Sequence, residues 1–253
     1  MSVASIDVPR WEGPLPSRDA VAQMIDHSLL RPELSLAEVQ DGLATALEHR
    51  TASVCVRPAD VSMAVDALRG SQVAVGTVVG FPHGSGTTRA KVFETTELIS
   101  LGAEEIDMVI NIGRLRDGDV AFVQHEIAAV VQAAEGRLVK VIFENAYLDD
   151  QQKTAGYKAA ENAGAAFVKT STGFAPGGAT AADIALMRRT VSSRVQVKAA
   201  GGVRTLDALL ELHRLGATRF GATATAAILD DLDGRRNGNP AAVNSASNVM
   251  GDY

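Results

Sequence analysis

Two lysines stand where lysine is least at home. In AAFVKTSTGF (165–174), Lys169 follows Ala165, Phe167 and Val168 and precedes a polar turn. VQVKAAGG (195–202) repeats the arrangement around Lys198. Burying an ammonium is costly, so two such placements call for a shared reason. A lysine amine is nucleophilic only as the free base, and at its ordinary pKa of ~10.4 it is almost wholly protonated at neutral pH. A second ammonium about 6 Å away, at an effective dielectric of about 20, costs roughly 2.8 kcal/mol, or about two pKa units. Partial burial adds to the effect. The freed amine can form a Schiff base with a carbonyl compound. The iminium then draws electrons from the neighbouring carbon–carbon bond, which can break or form. A carboxylate such as Asp107 can accept and return protons, or orient the pair. The bland reading is a snorkelling or ion-paired lysine, and the residue types alone leave both readings standing.

The elements that would position these groups are short apolar runs alternating with amphipathic ones. The strand candidates are 23–28, 52–56, 73–81, 104–111, 139–145, 166–171, 195–201 and 218–223. Most are rich in Val and Ile and are bounded by Gly, Pro, Asn or Ser. Helical patterns at 89–103, 152–165 and 206–217 each end in a Gly-Ala pair, with Gly102, Gly164 and Gly216 as natural left-handed stops. Thr180 with Asp183 has the spacing of an N-terminal cap. Eight near-continuous apolar strands separated by helices predict a parallel (β/α)8 TIM barrel. An open doubly wound sheet would carry a Gly-rich nucleotide fingerprint, and the sequence has neither G-x-G-x-x-G nor a P-loop. The barrel is expected over residues 1–230, with a short N-terminal extension. The polar, Gly/Asn/Ser-rich residues 231–253 read as a flexible tail.

In such a barrel the site lies at the C-terminal ends of the strands. The polar residues there are Asp26, Asp107, Asn111, Glu144, Asn145, Lys169 and Lys198. Strand alternation puts Lys169 on one face with Phe167 and Ser171, and Lys140 with Ile142 and Glu144. Glu144 reads equally as a base or as an inward acid paired with Lys140. The loops AAGGVRT (199–205) and RFGATAT (219–225) follow the last two strands, where barrels commonly bind phosphate through backbone N–H groups. Ordinary tight turns are the alternative. The five histidines show no H-x-H or H-E-x-x-H spacing, which disfavours a zinc lyase. Cys55, in VCV, reads as a small buried hydrophobe.

Composition sets the outer limits. The chain has 253 residues, 46% of them apolar, and a net charge of −6. That charge argues against nucleic acid or an anionic membrane as the main partner but leaves room for a local anion site. One cysteine is compatible with a reducing compartment. Neither a signal-peptide pattern nor an apolar window of spanning length is present, so a cytoplasmic location is expected.

The motifs IDHSLLRP, SVCVRP, VVGFPHG, EEIDMVINIG, VKVIFEN, AGAAFVKTSTGF, VKAAGGVRT and RFGAT occur in the order found in deoxyribose-phosphate aldolases. Over about residues 21–230 the chain resembles this family of class I aldolases on (β/α)8 barrels. The resemblance implies reversible cleavage of 2-deoxy-D-ribose 5-phosphate to D-glyceraldehyde 3-phosphate and acetaldehyde, in deoxyribonucleoside breakdown, with no metal or organic cofactor. It makes Lys169 the Schiff-base lysine and Lys198 the neighbour that lowers its pKa. Asp107 falls on the proton-transfer aspartate and Asp26 on a supporting one. Gly173, Gly201, Gly202, Gly221 and Thr223 fall on the phosphate-binding loops. In some members a C-terminal tyrosine enters the site, so Tyr253 becomes a candidate for proton exchange. A homo-oligomer, dimer or tetramer, is the family's common state.

Two departures stand out. Thr223-Ala224 replaces the Ser-Ser of many relatives, which touches the phosphate site. Phe143-Glu144-Asn145 replaces I-E-T and bears on the site floor. The alternatives are therefore a related lysine aldolase with a different aldehyde acceptor, phosphorylated or not, and a barrel that binds a sugar phosphate without turnover.

Overall fold

The computed structural model describes residue 6 and residues 8–238. Its strands are β1 (Ile25–Leu29), β2 (Ser53–Val56), β3 (Ala74–Val79), β4 (Glu105–Val109), β5 (Leu138–Ile142), β6 (Phe167–Lys169), β7 (Gln196–Ala200) and β8 (Arg219–Ala222). All pair in parallel and in sequence order, and β8 closes onto β1. The barrel is the one the alternating pattern predicts. β2 and β4 are buried along their whole length, because helices cover one face and the barrel interior the other.

Around the strands run α1 (Arg18–Ala22), α2 (Leu36–His49), α3 (Val61–Ala67), α4 (Thr88–Ser100), α5 (Ile112–Arg116) and α6 (Val120–Ala133). They continue with α7 (Asp150–Asn162), α8 (Ala181–Thr190), α9 (Leu206–Arg214) and α10 (Thr225–Arg236). Local chemistry starts them. Ser35 with Glu38 and Asp149 with Gln152 form reciprocal capping boxes, and Thr87, Thr180 and Thr205 each accept a first-turn N–H. Thr180 caps Asp183 as its spacing predicts. Gly102, Gly164 and Gly216 take positive φ just past α4, α7 and α9, a conformation that stops each helix before the next strand.

The expected tail begins too early. α10 continues to Arg236, so residues 231–236 are helical rather than part of a tail. Leu229 and Leu232 are fully buried, and Arg235 donates to both oxygens of Asp207 and of Asp231, which holds the last turns against α9. Residues 239–253, with Tyr253, lie outside the described residues. Among the described residues, no helix is long and apolar enough to cross a membrane.

Candidate active site

Sheet register brings the lysines together. Lys169 on β6 is the direct partner of Lys198 on β7, and Asp107 on β4 is the partner of Lys140 on β5. All four side chains are almost wholly buried in the barrel. Asp107 Oδ2 accepts from Lys169 Nζ at 2.6 Å and from Lys198 Nζ at 2.7 Å. One carboxylate oxygen thus bridges both amines. Lys198 also donates to Asp26 Oδ2. The lysine pair, Asp107 and Asp26 therefore form one contiguous cluster.

The charges sort themselves by partner. Burial alone would raise both aspartates, but the surrounding cations, Lys140 first, overcome it and hold Asp26 and Asp107 well below the usual carboxylate range. Burial would lower Lys198, yet Asp107 and Asp26 reverse this and raise it. Lys169 goes the other way. Burial pushes its pKa down, Asp107 opposes, and the Lys198 ammonium pushes it further down. Like-charge repulsion is the first cause expected from the sequence; in the barrel burial is the larger one, and repulsion adds to it.

Glu144 does not pair with Lys140. Lys140 donates to Glu105 at 2.6 Å and to Asp107 Oδ1 at 2.9 Å, because β5 and β4 are in register at that level. Glu144 lies beyond the end of β5 with left-handed backbone (φ 53°). Its carboxylate instead accepts from the Thr172 N–H at 3.2 Å and from the Thr172 hydroxyl. Burial raises its pKa, and the Thr172 bonds oppose that. Thr172 Oγ1 accepts in turn from Phe174 N–H, so the turn after Lys169 is clamped at both ends. Asn145 accepts from Tyr157 Oη at 2.9 Å, behind β5.

Above the lysines is a pocket with about 510 Å³ of empty space, part of it open to solvent. Lys169, Lys198 and Asp26 line its floor. Gly173, Gly201, Gly202, Gly221 and Thr223 line its side. Gly201 has positive φ, and a Cβ there would sit 2.8 Å from Gly178 Cα. The loop can approach its neighbour that closely only without a side chain. α10 begins beside Thr223, and Ala224 supplies no capping side chain, which leaves helical N–H groups for an anion.

Sequence reasoning missed Glu105, Arg219, Ser28, Leu30 and Arg204. The last three line the pocket. Strand alternation could have found the first two, since Glu105 shares a face with Asp107 and Arg219 with Gly221. Cys55 also lines the pocket, and burial pushes its thiol up to about 11. His27, a buried residue of β1, shares a hydrogen bond with Thr225 at 2.8 Å, and His83 does not line the pocket. Among the described residues, no three His, Cys, Asp or Glu side chains are grouped so as to hold a metal ion. A buried amine of lowered proton affinity, flanked by a charged lysine and an ionised aspartate under an anion-ready loop, can carry Schiff-base chemistry on a phosphorylated carbonyl compound.

Comparison with known proteins shows the family. The family model of the DeoC/LacD aldolases matches residues 20–230. The deoxyribose-phosphate aldolase of Bacillus cytotoxicus is 50% identical over 210 residues, 83% of this chain and 94% of that protein. That of Clostridium perfringens is 48% identical over 214 residues, 84% and 96% of the two chains. The tetrameric deoxyribose phosphate aldolase of Aeropyrum pernix superposes with a TM-score of 0.80 at 25% identity, covering 86% of this chain and 92% of that one.

Proposed function

Because the chain belongs to the DeoC/LacD family of aldolases, we propose that it is a deoxyribose-phosphate aldolase whose Schiff-base lysine is Lys169. It cleaves 2-deoxy-D-ribose 5-phosphate reversibly to D-glyceraldehyde 3-phosphate and acetaldehyde. One observation carries the residue assignment. Of the two lysines that share Asp107 Oδ2, only Lys198 has a second hydrogen-bonded carboxylate among the described residues, Asp26. Lys169 is therefore the one that gives up its proton most readily.

The free Lys169 amine adds to the aldehyde carbon of the open-chain sugar, and loss of water leaves the iminium. Asp107, one hydrogen bond from the amine, removes the proton of the 3-hydroxyl through a water molecule. The C2–C3 bond breaks, its electrons pass to the iminium nitrogen, and glyceraldehyde 3-phosphate leaves. The enamine takes a proton at C2, and hydrolysis releases acetaldehyde and the amine. Lys198 remains an ammonium throughout, holding Asp107 ionised. Gly173, Gly201, Gly202, Gly221 and Thr223, with the N-terminus of α10, bind the 5-phosphate. Tyr253 assists proton exchange at C2. The working unit is the barrel, in the cytoplasm, assembled as a homo-oligomer.

Borohydride reduction in the presence of 2-deoxyribose 5-phosphate, followed by peptide mapping, tests this. The expected adduct is on Lys169. An adduct on Lys198 reverses the two roles, and no adduct on folded protein overturns the reading. Trapping with unphosphorylated 2-deoxyribose as efficiently as with the 5-phosphate would reject the phosphate loops. Deleting residues 239–253 without loss of rate would remove Tyr253, and a monomeric sedimentation mass would remove the oligomer.

A further inference from the structure

A second tier of buried charge lies around the lysine pair, and the reaction steps above give it nothing to do. Glu105 precedes Asp107 by two residues on β4 and faces the same way. Arg219 begins β8, in register with Lys198. Its guanidinium donates to Asp26 Oδ1 at 2.5 Å and reaches both Glu105 oxygens at 3.4 Å. The guanidinium carbon also lies 5.6 Å from the centroid of Phe167, whose ring it covers.

Each cation can be followed to the oxygens it holds. Arg219 holds Asp26 Oδ1 and Glu105. Lys140 holds Glu105 Oε2 and Asp107 Oδ1, with Asp26 Oδ2 farther off at 3.4 Å. Lys198 holds Asp26 Oδ2 and half of Asp107 Oδ2. Among the described residues, Lys169 has one ion pair, to the other half of Asp107 Oδ2, with Glu144 acting on it only through space. We infer that Arg219 and Glu105 are positioning residues that together set how short of a carboxylate Lys169 is: Arg219 draws on Asp26 and Glu105 and deepens the shortage, while Glu105 supplies Lys140 and limits it. This rests on the aldolase reading and concerns how its amine is kept free.

Among the described residues, the titratable groups facing Lys169 are Asp26 on β1, Cys55 on β2, Glu105 and Asp107 on β4, Lys140 on β5, Glu144 beyond it, Lys198 on β7, Arg204 in the loop after it and Arg219 on β8. β3 contributes none. Cys55 stays a neutral thiol, and Glu144 is spent on Thr172. β4 and β8 are each two strands from β6, a backbone spacing of about 10 Å that sets an outer limit for Glu105 and Arg219, whose side chains point inward with Lys169. A unit charge at that distance and an effective dielectric of about 20 moves an amine by about one pKa unit. Removing the Arg219 cation raises the proton affinity of Lys169; removing the Glu105 anion lowers it.

The test is the acidic limb of kcat/KM for 2-deoxyribose 5-phosphate, with borohydride trapping at Lys169 as a second readout, in Arg219→Gln, Glu105→Gln and the double variant. The expected limb moves up by about one pH unit in Arg219→Gln and down by about one in Glu105→Gln. In the double variant it returns close to wild type. Equal limbs in both single variants, or shifts of the same sign, overturn the inference. If Arg219→Gln does not fold, Glu105→Gln and the double variant still decide it, because a limb unmoved between those two is also a refutation. Failure of the wild-type enzyme to trap at any pH would instead overturn the aldolase reading beneath.

Discussion

Replacing Lys198 by Met removes one ammonium from beside Lys169 while keeping the stem volume, so little cavity or strain is introduced. The two Nζ atoms are each a hydrogen bond from Asp107 Oδ2, at 2.6 and 2.7 Å. They therefore lie no farther apart than the sum of those two contacts, roughly 4–5 Å at ordinary acceptor angles, and at an effective dielectric of about 20 their repulsion is roughly 3–4 kcal/mol. Its loss raises the Lys169 pKa by about two units. Asp107, freed from Lys198, then serves Lys169 alone, which acts in the same direction. At pH 7 the free amine should fall, by up to about a hundredfold. The assay is kcat/KM between pH 6 and 10, alongside borohydride trapping over the same range. The acidic limb should move up by about two units, with activity recovering toward pH 10. A loss of equal size at every pH, with the limb unmoved, would refute the electrostatic role.

Glu144→Ala should loosen the turn from Thr170 to Phe174, raising KM for the 5-phosphate while leaving KM for unphosphorylated 2-deoxyribose nearly unchanged; equal effects on both would reject the clamp. His27 is buried and pushed down to about 4, first by burial and then by His49. Its folded pKa lies below the unfolded value, so the stability it contributes is present above about pH 6.5 and is lost as pH falls toward 4, by roughly 3 kcal/mol. Urea midpoints should drop across that window and flatten in His27→Gln; a parallel drop in the variant would exonerate His27. Gly156→Ala would set a Cβ 2.8 Å from both Leu115 Cδ2 and the Phe143 ring. Overpacking of about 1–3 kcal/mol should outweigh the helix-propensity gain of about 1 kcal/mol, and a raised melting temperature would contradict this.

Much of the fold was legible because its signals are local. Each Gly-Ala stop needs only a positive-φ residue after a helix, and Thr180 with Asp183 needs only three residues of spacing. Eight apolar strands between helices admit few parallel architectures. The site was legible in part for the same reason, since position at a strand's end is set along the chain. The tail boundary was not, because Gly234, Asn237 and Gly238 resemble a loop. The Arg235 bonds to Asp207, on another helix, decide otherwise.

Sequence by itself therefore determined which groups were available: two lysines and their acids on inward faces, and glycine loops beyond β7 and β8. Only the closed barrel decided which carboxylate each cation holds. Strand alternation offers Glu144 to Lys140, but register gives Lys140 to Glu105 and Asp107 and turns Glu144 toward Thr172. Alternation acts within one strand, whereas charge pairing in a buried interior follows distances of a few ångströms across strands remote in sequence. Arg219 and Asp26 are 193 residues apart in the chain and one hydrogen bond apart in the barrel. The relative proton affinities of Lys169 and Lys198 come from such contacts, so they are a property of the assembled interior and of no segment alone.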